Sequence, residues 1–447
     1  MKWAFPAVLL LASAVAAAED ASLSPTSSLH QLAASELENA GGGTGLYLTS
    51  ASALSADGAC GVVAWTYPAD PNALYPVDLG MTIEALSFVP STGEPAADNN
   101  RTVVVVDAIP GYEVVKLFAF PLTKHANPAA VAVFYGEVIA LPTLFNNVVV
   151  KRVVLDACTG QAIEPAAFVL EALGSTWYDE PQFIVSRAGE QQDVPVVLSP
   201  VAILVGENNA ATHTLRGVVV DPASALPVAS PFVVGTTGPW TALATSILPS
   251  GNIVVAHMCG RVTPNYDCSL VNNEAIVRVL ELTADQRSMQ TVINDSRVLF
   301  GRESSSNDIV AAPTGVDELS LSIWRTQELN TYTINAQVWN IVKNARVGAH
   351  FTLPNLSTNP YLYELALSPV KSLAVLVYYT GGSILVTALS ASGEPLATVA
   401  IGTTANSAYV GASVHFTAED RFTVVWQSHQ GDTRNGYIFS QAFVFTA

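Results

Sequence analysis

Residues 421–443 read RFTVVWQSHQGDTRNGYIFSQAF, and this segment shows most clearly how the chain folds. Phe422 to Ser428 alternates apolar and polar residues, which is the pattern of a half-buried strand. Residues 429–435 are polar and turn-prone, and a second β-rich run extends from Gly436 to Phe445. Because Tyr409 to Phe416 forms another short β-rich run just before, the segment predicts three antiparallel strands joined by tight connections.

Weaker copies of this segment recur along the chain. Seven β-rich runs end at matching positions, which are Trp65, Tyr135, Val205, His257, Trp324, Tyr378 and Trp426. A period of roughly 50 to 70 residues with about four short strands per repeat is typical of a β-propeller. A single such sheet has two apolar faces, and radial packing covers both of them. We therefore predict an all-β chain folded as one propeller, most simply with seven blades; tandem β-sandwiches are the alternative.

The two ends of the chain raise the question of how such a ring would close. The last repeat supplies only three strands before the chain stops, so a four-stranded blade needs one more. Ser28 to Ser35 is placed to supply that outer strand, and the alternative is a disordered leader. The first two repeats are longer than the others, which leaves insertions or an eighth, degenerate blade open.

The last repeat also resembles the repeats of large secreted bacterial surface proteins. Those repeats combine a strand of the form FVVVWxS, an Asp/Gly-rich loop and a strand of the form GIxxQxF. The matching residues here are Phe422, Val424, Val425, Trp426, Ser428, Asp432, Gly436, Ile438, Gln441 and Phe443. Elsewhere Trp65, Trp324 and Gln337 match the pattern clearly. The resemblance implies a repeat architecture and no particular activity.

The N-terminus has the pattern of a secretory signal peptide over residues 1–18. Lys2 provides the positive start, Ala4 to Val15 is apolar, and three alanines form a small-residue cleavage site. This apolar run is shorter than the ~20 residues that a membrane anchor needs. We therefore expect a secreted, extracellular protein without a membrane span, with an N-terminal leader at 19–43 and the propeller at 44–447.

Composition limits the partners that this chain can have. The formal net charge is −18, with 19 Lys and Arg residues and no basic run. Such a chain repels phosphate backbones and anionic lipids, so we expect no nucleic-acid partner and no attraction to acidic membranes. Charged residues make up only 13% of the chain, so the surface must be rich in uncharged polar side chains.

The four cysteines of an exported chain suggest two disulfides. Cys259 and Cys268 flank one connection between neighbouring strands and are the simpler pair. Cys60 and Cys158 would lie on the same side of the disc in neighbouring blades, so we expect the second bond there; two buried free thiols are the alternative. No Cys-x-x-Cys or Cys/His cluster exists, so no metal site and no cofactor are predicted.

Three segments match the acceptor pattern for N-linked glycosylation. The asparagines concerned are Asn100, Asn294 and Asn355. The pattern is short and matches often by chance. It predicts a glycoprotein if the cell that makes this chain has the modifying machinery.

Function is indicated by position more than by motif. The connections between second and third strands should all emerge on one face of the disc, and they combine aromatic with acidic residues. These are Tyr67, Asp70, Tyr75, Asp78, Tyr266, Asp267, His429, Asp432 and Arg434. Such side chains suit binding of a carbohydrate or protein partner, although ordinary loop composition explains them equally simply.

No sequence motif of a known catalytic site is present, so we expect a non-enzymatic binding protein. One alternative is a carbohydrate-active or other hydrolytic propeller that uses carboxylates at the mouth of the channel. The other is a structural surface or matrix protein.

Overall fold

The computed structural model describes the chain in segments that together carry 29 β-strands. These segments are residues 21–35, 50–68, 81–96, 103–107, 112–139, 146–175, 182–187, 193–205, 210–237, 243–248, 250, 252–258, 275–295, 309–313, 319–328, 331–340, 342–343, 345–356, 360–368, 373–403, 411–429 and 436–446. All regular secondary structure in them is β-strand, as the short, alternating, Val-rich runs of the sequence predict.

Two strands precede the first blade, β1 (Ser22–Pro25) and β2 (His30–Ser35). The first blade contains β3 (Ser50–Leu54), β4 (Gly61–Pro68), β5 (Met81–Phe88) and β6 (Val103–Val106). The second blade contains β7 (Tyr112–Pro121), β8 (Ala130–Ile139), β9 (Asn146–Asp156) and β10 (Ala162–Ser175). The third blade contains β11 (Gln182–Arg187), β12 (Asp193–Val205), β13 (Ala210–Val219) and β14 (Phe232–Thr237).

The fourth blade contains β15 (Leu243–Ile247), β16 (Ile253–Met258), β17 (Ala275–Leu282) and β18 (Met289–Asp295). The fifth contains β19 (Ile309–Pro313), β20 (Leu319–Glu328), β21 (Thr331–Asn340) and β22 (Ala345–Leu356). The sixth contains β23 (Tyr361–Leu367), β24 (Leu373–Thr380), β25 (Ser383–Ser390) and β26 (Pro395–Thr403). The seventh contains β27 (Ala412–Phe416), β28 (Arg421–His429) and β29 (Gly436–Thr446).

The described strands form seven antiparallel sheets that follow one another in a closed ring. At six junctions the first strands of neighbouring blades are in contact: β3 with β7, β11 with β15, β15 with β19, β19 with β23, β23 with β27, and β27 with β3. At the remaining junction, β10 of the second blade contacts β12 of the third blade. The predicted β-propeller is confirmed, and the alternative of tandem sandwiches is wrong. The described residues provide no eighth sheet.

The repeated β-rich runs of the sequence are the second strands of the seven blades. β4, β8, β12, β16, β20, β24 and β28 each lie between a first and a third strand. The aromatic residues that end these runs are buried, and they include Trp65, Tyr135, Trp324, Tyr378 and Trp426. Because each sheet is covered on both faces by neighbouring blades, a large ring at this position fills the space between them.

The ring is closed by the N-terminal segment, as the strand count predicts. β2 pairs antiparallel with β29, with His30 opposite Ser440 and Ser35 opposite Gly436. β1 also pairs with β29, so the outer position of the seventh blade holds two strands and not the single predicted one. We call residues 22–35 the strap.

The residues that connect the two strands of the strap also bond to the seventh blade. Ser27 connects the strands, and its Oγ accepts a hydrogen bond of 3.0 Å from the backbone N–H of Ala442. Leu23 packs into the core of the sixth and seventh blades, and Leu32 packs between the seventh blade and the first. The strap therefore contributes to the hydrophobic cores on both sides of the last blade.

The two ends of the disc receive different connections. In every blade the strand order across the sheet follows the chain, so first-to-second and third-to-fourth connections share one end, which we call the turn face. Second strands end and third strands begin at the opposite end, which we call the loop face. A contact between blades agrees with this assignment: Ser368 Oγ, after β23, donates to the carbonyl of Glu419, between β27 and β28, at 2.8 Å.

The turn face is built from short turns that bond to themselves. Gly93, Gly160 and Gly393 follow third strands with φ of 75°, 72° and 90°, a conformation that glycine adopts without strain. Ala225 occupies the matching turn of the third blade at φ 55°, where its buried methyl group packs against the second blade. These turns lean on the preceding blade; a Cβ on Gly393, for example, would meet Leu321 and Ala336 at 2.9 Å.

Two hydroxyl–carboxylate pairs stabilise turns on this face. Ser55 Oγ donates to Asp57 at 2.6 Å, and Thr283 Oγ1 donates to Asp285 at 2.6 Å. The hydrogen bond from the hydroxyl is the main cause that lowers the pKa of each aspartate. Both carboxylates also accept a backbone N–H two residues further on, which completes the turn.

Candidate binding face

Two of the residues predicted to bind a partner are among those that the structure describes. Tyr67 lies in β4, near the end of that strand, and His429 is the last residue of β28. The other seven predicted residues, Asp70, Tyr75, Asp78, Tyr266, Asp267, Asp432 and Arg434, lie outside the described residues. The second strands that precede their connections, β4, β16 and β28, all end at the loop face.

One predicted disulfide is present. Cys60, just before β4, bonds to Cys158, just after β9, with Cα atoms 5.0 Å apart. The bond joins the turn faces of the first and second blades, as the sequence predicts. The second predicted pair, Cys259 and Cys268, lies outside the described residues.

Two predicted glycosylation sites lie on the rim of the disc. Asn294 is in β18 and Asn355 is in β22, the outermost strands of the fourth and fifth blades. Asn100 lies outside the described residues. An outermost strand has no further strand beside it, so its edge faces away from the centre of the ring.

Between the blades, polar side chains on third strands point from one blade toward the preceding blade. They lie on the third strands of the first five blades and form what we call the polar belt, namely Glu84, Lys151, Arg216, Arg278 and Asn335. Three of them are directly opposite the buried aromatic residue of the second strand: Glu84 opposite Trp65, Lys151 opposite Tyr135, and Asn335 opposite Trp324.

In the first blade this pairing changes the acidity of a carboxyl group. Burial raises the pKa of Glu84, and a hydrogen bond with Trp65 partly offsets the effect. An indole N–H is a donor only, so this contact stabilises the charged carboxylate.

In the second blade the belt residue Lys151 forms a largely buried ion pair with a glutamate. Lys151 Nζ lies 2.6 Å from Oε2 of Glu137, whose side chain is 3% exposed. The other oxygen, Oε1, and the hydroxyl of the neighbouring Tyr135 are buried, and neither has a hydrogen-bond partner in the described structure. Burial and the nearby Glu137 charge raise the pKa of the Tyr135 hydroxyl, so it stays protonated at neutral pH.

In the fifth blade a stacked pair of rings lies beside the belt residue Asn335. His350 lies parallel to Trp324, with ring centroids 5.5 Å apart and an interplanar angle of 6°. His350 Nε2 is 3.1 Å from Asn335 Oδ1. The amide oxygen can only accept, so Nε2 carries the proton. Burial and the charge of Arg346 lower the pKa of His350, which favours this neutral form.

The two partly or fully buried carboxylates of the belt region do not face each other. Glu84 lies on the same side of its sheet as Leu86, which packs toward the seventh blade. Glu137 lies on the same side of its sheet as Tyr135, which belongs to the apolar core between the first and second blades. The sheet of the first blade therefore separates them, whereas a glycosidase needs two carboxyl groups on either side of one bond.

A metal centre is not found among the residues that the structure describes: no three His, Cys, Asp or Glu side chains are grouped suitably there. Within the same residues, no helix is long and apolar enough to cross a membrane.

Sequence reasoning missed the polar belt. Its members are spread over five repeats, and each looks like an isolated polar residue in a Val-rich strand. The available signal was the aromatic residue that ends each second strand, because the residue opposite it on the third strand is fixed by the hairpin register.

The chain matches no protein-family model and no curated protein. Among solved structures it is similar to an ulvan lyase of a new polysaccharide lyase family, with a TM-score of 0.45, 8% identity and coverage of 85% of this chain and 89% of that one. For the Dos1 propeller the TM-score is 0.43 and the identity 11%, with coverage of 92% of this chain and 95% of that one. For the lectin SapL1 in complex with α-methyl fucoside the TM-score is 0.40 and the identity 12%, with coverage of 80% of this chain and 97% of that one. At such values these similarities carry no argument about ligand or activity.

Proposed function

We propose that this protein is a secreted β-propeller that binds a protein or glycan partner through its loop face. The observation that carries the proposal is the difference between the two faces of the disc. The described turns of the turn face are bonded to themselves or to the preceding blade. Two connections that follow second strands, 69–80 and 259–274, are long, and each contains one tyrosine and two acidic residues.

The polar belt supports this proposal by its position. It places charged and amide side chains on third strands, between blades whose shared cores are apolar. Loops that need one conformation for binding gain from such a scaffold, because rigid strands hold the residues at their bases. A loop face over a rigid polar layer therefore suits recognition better than a purely structural role does.

The experiment compares the two faces directly. In one variant Tyr67, Tyr75 and Tyr266 are replaced by alanine, and in a matched variant the exposed turn-face residues Thr123, Gln161 and Lys343 are replaced instead. Binding to an immobilised glycan panel and to extracellular proteins is then measured, with unfolding curves to show that both variants fold. We expect at least a tenfold loss of affinity only in the tyrosine variant, because aromatic side chains dominate most binding sites.

The same assay separates the proposed function from its alternatives. Equal binding by both variants would count against the loop face. Release of products from the glycan panel by the unmodified protein would favour a hydrolase, and self-association without any ligand would favour a structural role.

A further inference from the structure

Two arginines, one from each blade, project into the interface between the second and third blades. We call it the 2–3 seam, after the blades that form it. Arg152, on β9, lies on the same side of its sheet as Val150 and Val154, which pack against the third blade. Arg216, on β13, lies on the same side as Val218, which packs against the second blade. Both guanidinium groups therefore project into the same seam.

The carboxylate that pairs with Arg152 is shared with a histidine. Glu164 Oε2 is 2.7 Å from Nη2 of Arg152, and Glu164 Oε1 is 3.3 Å from Nε2 of His125. Arg152 also donates from Nη1 to the carbonyl of Pro165 at 2.9 Å. Glu164 thus serves Arg152 and His125 at the same time.

Arg216 has no partner among the residues that the structure describes. Its Nε is shielded from solvent and makes no hydrogen bond, and the Nε of Arg152 is buried and unsatisfied in the same way. A buried N–H donor on a charged group is costly when it is left without an acceptor. This arrangement is unusual in a chain of net charge −18, in which carboxylates outnumber basic residues.

We propose that the 2–3 seam is a binding site for an oxyanion, with Arg216 as its principal ligand and Arg152 as the second donor. A carboxylate, sulfate or phosphate group presents two or more acceptor oxygens to planar guanidinium donors, which is the geometry that arginine recognises. Arg216 belongs to the polar belt and not to the connections proposed to bind the partner, so failure of this site would leave binding by those connections untouched.

The test measures thermal unfolding in sodium chloride and in sodium sulfate at equal ionic strength. Sulfate stabilises most proteins by exclusion from their surface, so the informative quantity is the difference between variants. Arg216→Gln removes the proposed ligand, and Arg287→Gln, at an exposed turn arginine, removes the same charge elsewhere. We expect the sulfate-induced rise in Tm to be about 2 °C or more larger in the unmodified protein and in Arg287→Gln than in Arg216→Gln.

Two further measurements guard against a trivial loss of folding. In chloride alone Arg216→Gln should be at least as stable as the unmodified protein, because it removes an uncompensated charge. Arg216→Lys, which keeps the charge but loses the planar fork, should show an intermediate response to sulfate. An equal sulfate response in all variants, or a clear loss of stability of Arg216→Gln in chloride, would overturn the proposal.

The source of the oxyanion is distinguished by the choice of probe. D-glucuronate, with D-glucose as the neutral control, tests the carboxylate of a saccharide, while sulfate and phosphate test free inorganic ions. A larger Arg216-dependent shift with glucuronate than with sulfate would assign the site to a carboxylate ligand. The opposite order would assign it to an inorganic anion, and either result supports the oxyanion site.

Discussion

Two junctions of the ring are held together in different ways. The first and second blades follow each other in the chain, share an apolar core and are joined by the Cys60–Cys158 disulfide. The seventh and first blades are the two ends of the propeller. Their junction depends on the strap and on hydrogen bonds, including the one between Ser52 Oγ and His415 Nε2 at 2.7 Å.

Side-chain donors at the closing junction reach across to backbone carbonyls. Thr423 Oγ1 donates to Pro90 O and Ser440 Oγ donates to Gly93 O, so the seventh blade holds the turn that follows β5. Among the described residues, the consecutive junction has one such bond, from Ser87 Oγ to Ala157 O at 2.7 Å. The comparison suggests that polar bonds and the strap replace the covalent link where the ends of the ring meet.

Removing the strap should have the largest effect. Loss of residues 19–35 exposes β29 and the core contacts of Leu23 and Leu32, and a buried leucine alone contributes about 2–5 kcal/mol. We expect the shortened chain to lose at least about 5 kcal/mol of unfolding free energy, measured by urea denaturation. A synthetic peptide of residues 19–35 should restore stability when added. Unchanged stability without the strap would show that the ring closes by itself.

Breaking the disulfide should come next. Cys60 and Cys158 are 98 residues apart, so their bond restricts the unfolded chain strongly. We expect the double alanine variant to lose about 3–5 kcal/mol by urea denaturation. The double alanine variant of Cys259 and Cys268 is the control and should lose less, because its bond would close a short loop. Equal losses would contradict the idea that the covalent link matters for joining blades.

Acidification should weaken the closing junction selectively. Burial lowers the pKa of His415 to about 4, below its ordinary value of 6.5. The unfolded chain therefore takes up the proton first, and stability falls as the pH drops from about 6.5 to about 4, by up to ~3 kcal/mol. Urea denaturation across this range should show a smaller pH-dependent loss in His415→Gln, which lacks the titrating ring. Parallel curves for both proteins would exclude His415 as the cause.

The smallest effects should come from single hydroxyl groups. Thr423→Val leaves the carbonyl of Pro90 without its donor, and we expect a loss of about 2 kcal/mol. Ser87→Ala does the same at the disulfide-linked junction, where we expect about 1 kcal/mol. Urea denaturation of both variants side by side gives the comparison. A larger loss from Ser87→Ala would reverse the proposed difference between the junctions.

Much of the fold could be predicted because it repeats. The runs ending at Trp65 and Trp426 show the same alternation, and the turn at Gly160 follows its strand as the turn at Gly93 does. Such local patterns determine strands and turns directly. The partner of Cys60 could be predicted for the same reason, since its place within a repeat fixes the face of the disc on which it lies.

The candidate sites were harder to predict. Glu137 is an ordinary acidic residue in a strand until Lys151 and the apolar core of the first blade surround it. Arg216 attracts no attention until Glu164 is found to be fully occupied by Arg152 and His125. Neither fact follows from spacing, because each depends on which side of a sheet a residue faces and what the next blade presents.

The sequence by itself determined the strands, their repetition, the closing segment at the N-terminus and one cross-blade disulfide. These features depend on alternation, turn residues and counting, which are local properties of the chain. The tertiary structure alone decided which polar side chains meet between blades and which charges stay uncompensated there. The physical reason is that electrostatic balance in a seam depends on residues from separate repeats, brought together only when the ring closes.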